Sequence, residues 1–284
     1  MKTTRLCSGI ILGIMILVVG PGAVRAQPSG DPIEQGNLLY DKGDYDGAIL
    51  LYSQAIGLDP SGSIAYYNRA TAYKDKGEHD LAIQDYTQAL RLDSNCATAY
   101  CNRGNTYMDK REYDLAIQDY NQTLRLIPNS AEAYFSRGNA YKDKGEHDLA
   151  IQDYTQALKL DSNYATAYNN RGVVYHTKGD NDLALQDYNQ ALRLDSNYAY
   201  AYNSRGRAYD AKGQYDLAIK DCSQAFKLDS SLVTPLYYSA KACEHAGRTA
   251  YALAGYEHFV AVAPAADSEL VAKAEARIQA LKPE

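Results

Sequence analysis

Glu78-His79-Asp80 and Glu146-His147-Asp148 set an imidazole between two carboxylates, the residue types of a proton relay or a metal site. A general acid or base also needs a pocket and a second group aimed at the same substrate atom. Three adjacent residues at an exposed helix start supply neither. The other histidines, His176, His245 and His258, form no ligand pair at helical spacing, and no phosphate-cradling or nucleophile-elbow sequence occurs. Cys96, Cys101, Cys222 and Cys243 show no CxxC or Cys/His spacing. An even number of thiols permits disulfides in an exported chain, and for Cys222 and Cys243 a buried, apolar role is preferred. No metal or cofactor is expected, and the chain reads as a non-enzyme.

The two triplets belong to a longer identity. "AYKDKGEHDLAIQDYTQAL" stands at Ala72–Leu90 and again at Ala140–Leu158, 68 residues on. Half that distance is the true period. Taking "ATAYNNRGVVYHTKGDNDLALQDYNQALRLDSNY" at 165–198 as the unit, steps of 34 give 29–62, 63–96, 97–130, 131–164, 199–232 and 233–266. Seven units follow one another with no insertion. In this frame the histidine column holds Tyr45, Tyr113, Asn181 and Tyr215 elsewhere. His79 and His147 are therefore turn residues among other tolerated ones.

Each unit predicts two helices. Ala165–Lys178 carries Tyr168, Gly172 and Tyr175 at helical spacing, and Gly179 suits the left-handed residue that ends a helix. Asp180 and Asp182 place negative charge at the start of the second helix, where its dipole favours it. Leu183, Ala184, Tyr188, Ala191 and Leu192 make its apolar face, and Asp195-Ser196-Asn197 turns the chain. A helix pair cannot bury such a stripe alone, so units must stack around a shared core. Asp31-Pro32-Ile33-Glu34 reads as the opening cap. After the last unit, Leu270, Ala274, Ile278 and Leu281 share one face of a closing helix within 267–284.

The columns Tyr168, Arg171-Gly172, Tyr175, Ala184, Tyr188 and Ser196 resemble the tetratricopeptide repeat pattern, with Tyr in place of Trp and Phe. Proline keeps its place only as Pro60, Pro128 and Pro264. The resemblance implies an all-α, right-handed superhelical solenoid of stacked antiparallel helix pairs with a C-terminal capping helix. It also implies a concave face, lined by the first helices, that binds peptides or protein segments.

Internal repetition exposes a pairing. Arg69, Arg103, Arg137, Arg171 and Arg205 stand where the family has an apolar residue, and Asp85, Asp119, Asp153, Asp187 and Asp221 follow sixteen residues later. The first unit (Gln35, Leu51) and the last (Ser239, Gly255) lack both. A ladder of buried Arg–Asp pairs is expected. Groove-facing columns hold Asn68, Asn102 and Asn170, and Asn37, Asn105 and Asn139. An asparagine amide can both donate to and accept from a peptide backbone, or simply keep a groove hydrated. Asp41, Asp75, Asp109 and Asp143 form an acidic column. The degenerate last unit, with Leu236, Ala240 and Cys243, is the expected self-association surface.

At the N-terminus, Lys2 and Arg5 precede an apolar run from Leu6 to Val19, then Gly20-Pro21-Gly22 and Val24-Arg25-Ala26. This reads as a secretory signal over residues 1–26, cleaved between Ala26 and Gln27 and followed by a short linker at 27–30. Periplasmic or secreted location is expected, with an uncleaved membrane anchor as the alternative. The formal charge of −6 becomes about −9 once the leader's three cations, unaccompanied by any acid, are removed. That balance disfavours nucleic acid and anionic membranes. The expected function is a protein-binding scaffold or adaptor; the alternative is an accessory binding subunit of an envelope polysaccharide or cell-wall enzyme complex.

Overall fold

A computed structural model describes residues 30–282, so the leader and the cleavage pair Ala26–Gln27 lie outside it. The described residues form seven helix pairs and a closing helix. The pairs are α1 (Pro32–Asp41) with α2 (Tyr45–Leu58), α3 (Ser63–Asp75) with α4 (His79–Leu92), α5 (Ala97–Asp109) with α6 (Tyr113–Leu126), and α7 (Ala131–Lys144) with α8 (His147–Leu160). They continue as α9 (Ala165–Lys178) with α10 (Asn181–Leu194), α11 (Ala199–Ala211) with α12 (Tyr215–Leu228), and α13 (Thr234–His245) with α14 (Thr249–Val262). A short turn at 265–267 leads to α15 (Ser268–Leu281).

Local chemistry sets these ends. The glycine after each first helix takes positive φ, 85° at Gly145 and 90° at Gly179, where a side chain would clash with the backbone. Unit three breaks the rule with Arg111 at φ 59°. Between units, Asp93, Asp161 and Asp195 accept the backbone N–H two residues on, at 2.9–3.0 Å, folding the link into an Asx turn. Asp31 caps α1 by accepting from the Ile33 N–H at 2.9 Å.

Packing explains the tyrosines. Tyr52, Tyr86, Tyr120, Tyr154, Tyr188 and Tyr256 are fully buried, one in each second helix except α12, where Cys222 takes the column. Each of Tyr52, Tyr120, Tyr154 and Tyr188 lies over a first-helix glycine: a Cβ on Gly36, Gly104, Gly138 or Gly172 would sit 2.6–2.9 Å from the ring. Small residues in those columns let the paired helices close. A buried phenol usually finds a partner for its hydroxyl; Tyr52, Tyr120 and Tyr154 donate to Asn37, Asn105 and Asn139 at 2.7–2.9 Å.

Successive first helices touch one another along the whole stack, α1 to α3 and onward to α13. Second helices contact mainly their own partner and the next first helix. First helices thus form the closely spaced inner layer of a curved, right-handed superhelical solenoid, and second helices the outer one. No helix among the described residues is long and apolar enough to cross a membrane.

The last unit corrects one expectation. Ala240 and Cys243 are buried with Tyr237, Tyr256 and Phe259 beneath Ala274 and Ile278 of α15, and Leu236 packs against the same cluster. The apolar residues that looked like a self-association surface are used up by the closing helix. Gly255 lies against Ala240, where a Cβ would meet Ala240 Cβ at 2.8 Å.

Candidate protein-binding groove

The Glu-His-Asp triplets do not act together. Glu78 and Glu146 pair with Lys76 and Lys144 of their own units at 2.7 and 2.6 Å. Asp80 and Asp148 pair with Lys110 and Lys178 of the following units. The histidines are half-buried, not exposed as the sequence suggested, and their Nδ1 atoms are closed off with no hydrogen-bond partner. The lysine contacts recur every unit: Lys76–Asp46, Lys110–Asp80, Lys144–Asp114, Lys178–Asp148 and Lys212–Asp182. Pairing holds the carboxyls of Asp80 and Asp148 below the usual range. A fixed spacing of thirty residues carried this clasp in the sequence, yet those aspartates read only as helix-start charge.

The five arginines are more deeply set. Each directs Nε and Nη2 at the two oxygens of the aspartate sixteen residues on, at 2.6–2.9 Å. Nη1 reaches back to the preceding unit's second helix, to Ser53, Thr87, Asn121, Thr155 or Asn189, at 2.5–3.0 Å. Two tyrosines of the same helix flank each guanidinium at 5.4–6.0 Å, for example Tyr66 and Tyr73 about Arg69. One side chain therefore joins three helices. The hydrogen bond to Asp85, against the cost of burial, holds Arg69 above its ordinary pKa. Burial pushes the Asp119 carboxyl up despite Arg103. Each of these charges is matched within the protein.

The six asparagines, all half-buried, are also engaged. Asn37, Asn105 and Asn139 accept from the buried tyrosines. Asn68 and Asn170 donate to Asn37 and Asn139 of the preceding units at 3.0 and 2.9 Å, and Asn102 donates to the Tyr67 hydroxyl at 2.9 Å. These bonds tie the inner layer together. Asp41, Asp75, Asp109 and Asp143 are exposed and form a rim along units one to four, its charge partly matched by Lys74 beside Asp75 at 3.7 Å and Lys142 beside Asp143 at 3.1 Å.

The four described cysteines are free thiols. Burial pushes the Cys101 and Cys222 thiols up to about 12, which favours the protonated form. Among the described residues, no three His, Cys, Asp or Glu groups are placed to hold a metal ion.

Family models for the TPR repeat match residues 36–77, 70–110, 104–145 and 138–179, and the tetratricopeptide repeat matches 165–198 and 199–232. Together they span well over half of the chain. It belongs to the tetratricopeptide repeat family. Among solved structures, the MamA protein is 32% identical, with 59% of this chain and 92% of MamA covered at a TM-score of 0.54. YrrB, described as a TPR protein with an unusual peptide-binding site, is 25% identical, covering 66% and 96% at 0.54. A tetratricopeptide repeat protein from Parabacteroides merdae shares the fold over 86% of this chain and 97% of its own, at 21% identity and a TM-score of 0.71. Among curated proteins, none matches the chain.

Proposed function

We propose that this tetratricopeptide repeat protein is a non-catalytic scaffold that holds peptide or protein segments against its concave face. One observation carries the reading. Units one to five contribute half-buried, hydrogen-bonding asparagines to one continuous inner layer, while the acids of the two Glu-His-Asp triplets are clasped by lysines in separate places. An inner layer rich in amides suits an extended chain, whose backbone needs donors and acceptors at regular intervals. YrrB's described peptide-binding site supports the same use of this architecture.

The chain is further proposed to work outside the cytoplasm. Support comes from the basic start, the apolar run and the small residues before Gln27. Fractionation should then recover protein beginning at Gln27; an intact N-terminus in the cytoplasm would end this part of the proposal.

For the groove, a photo-cross-linking residue replaces Phe135 on the inner layer or Leu149 on the outer one. Phe135 is half-buried and Leu149 is 42% exposed. Partner adducts are expected from position 135 and few from 149. Adducts from 149 alone, or substrate turnover by the purified chain, would refute the scaffold reading.

A further inference from the structure

The stack is closed at only one of its two ends. At the C-terminal end α15 lays Ala274 and Ile278 over Tyr237, Tyr256 and Phe259 of the last unit. At the N-terminal end no helix among the described residues precedes α1. Leu38 shows what that end lacks. Its column continues as Ala72, Thr106, Ala140, Val174, Ala208 and Ala242, each at most 1% exposed. Ala72, Ala140, Val174 and Ala208 pack on the buried tyrosine of the preceding second helix. Leu38 has no preceding unit and is 61% exposed.

Unit one also carries apolar residues that its successors do not. Leu38 is larger than any other residue of its column, and Leu50, 62% exposed, replaces the exposed Gln84, Gln118, Gln152 and Gln186. Leu50, Gln54 and Leu58 share a face of α2. Gln54 is exposed where Gln88, Gln122, Gln156 and Gln190 are half-buried, and Leu58 is 68% exposed against 37–44% for Leu92, Leu160 and Val262. Leucines in such places are stabilising only when something covers them.

The charges at this end select the cover. Lys42 stands in the column of Lys76, Lys110, Lys144, Lys178 and Lys212, each of which clasps an aspartate of the preceding unit. Among the described residues no acid pairs with Lys42, which is exposed. Glu34 is exposed where Asn68, Asn102, Ser136 and Asn170 of its column are half-buried. Glu34, Leu38 and Lys42 follow one another at single turns on one face of α1, as negative, apolar and positive. Two such faces laid antiparallel about a two-fold axis through Leu38 set each Glu34 against the other copy's Lys42. A parallel pairing sets like charges together. Stacking of this end on the opposite end of another copy is blocked by α15, so the contact closes as a pair. With the leader removed as proposed above, residues 27–31 are too few to fold back as a covering helix.

We propose that the N-terminal end of the solenoid is a homodimer interface, in which α1 and α2 of one copy cover those of a second copy about a two-fold axis. The contact continues the one that each unit makes with the next, and it gives Leu38 the buried setting its column has in every later unit. It does not depend on the groove reading. A dimer so formed carries two grooves, which raises avidity for a partner that spans both.

The test is the mass of the mature chain in sedimentation across a concentration series, where a dimer is expected to form. Leu38→Asp should raise the dimer dissociation constant at least about tenfold, the scale of one central interface residue, with helix content unchanged. Leu217→Asp, an exposed leucine on α12 far from this end, should change it less than about twofold. Glu34→Lys and Lys42→Glu should each weaken self-association, because each sets like charges in both contacts. Mixed in equal amounts, these two variants should pair with each other more tightly than either pairs with itself, since every contact is then opposite in sign. A mature chain that stays monomeric overturns the proposal and leaves this face to a different partner. A dimer that Leu38→Asp leaves intact also overturns it, and charge variants that gain nothing on mixing overturn the two-fold arrangement. Adducts from position 135 would stand in each case, because the groove reading is tested separately.

Discussion

The arginine ladder shows how one residue type solves several problems. A guanidinium has enough donors to satisfy both oxygens of an aspartate and still reach a neighbouring unit. The aspartates are nearly closed off, with Asp153 at 5% side-chain exposure. Asp153→Ala should therefore leave Arg137 unpaired and destabilise the protein by about 3–5 kcal/mol in denaturant unfolding. Replacing both, Arg137→Met with Asp153→Leu, should recover most of that loss. A double variant as weak as the single would mean that the pair itself provides the stability. The tyrosines allow a finer contrast. Tyr154→Phe gives up a hydrogen bond to Asn139 and should cost about 1 kcal/mol. Tyr188 has Val173 in the corresponding column instead of an asparagine, so Tyr188→Phe should cost less than Tyr154→Phe.

At the level of the helix pair, the glycine turn is the most exacting element. Six units place glycine at positive φ, while unit three holds Arg111 at 59°. A side chain in that region costs about 1–2 kcal/mol. Arg111→Gly should accordingly raise the thermal midpoint, offset in part by the greater freedom of glycine in the unfolded chain. An unchanged or lower midpoint would show that the Arg111 side chain returns the strain through contacts. The period, the helix boundaries and the pairing of Arg with Asp were all legible, because each repeats in register and departures from the pattern show. The lysine clasps were equally periodic. They were missed because Asp182 and its equivalents already had a sufficient local role at a helix start.

Across the whole molecule, stacking turns a set of marginal pairs into one continuous core. Its aromatic layer is phenolic, which gives the fold a pH limit. Burial raises the pKa of Tyr86, Tyr120, Tyr154, Tyr188 and Tyr256 above the ordinary value of 10.0. Below pH 10 these phenols are protonated in both folded and unfolded chains. Above it the unfolded chain loses protons that the folded one retains, so stability falls as pH rises. Heating at increasing pH should show midpoints declining from about pH 10, with tyrosinate absorbance appearing together with loss of helix. Absorbance rising well before unfolding would mean that the rings are accessible to solvent.

The sequence by itself determined the repeat, the helix pairs, the caps and the charge partners, because all of these depend on spacing along the chain. It also marked the asparagine columns and the acidic rim as inner-layer features. Only the tertiary structure decided what those groups had left to offer. A side chain's hydrogen bonds are finite, and whether Asn139 is already engaged depends on Tyr154 and Asn170 arriving from other helices. The same holds for Cys243, whose burial depends on α15. Sequence spacing assigns partners within a repeat; competition among neighbours brought together by the stack decides which groups stay available to bind.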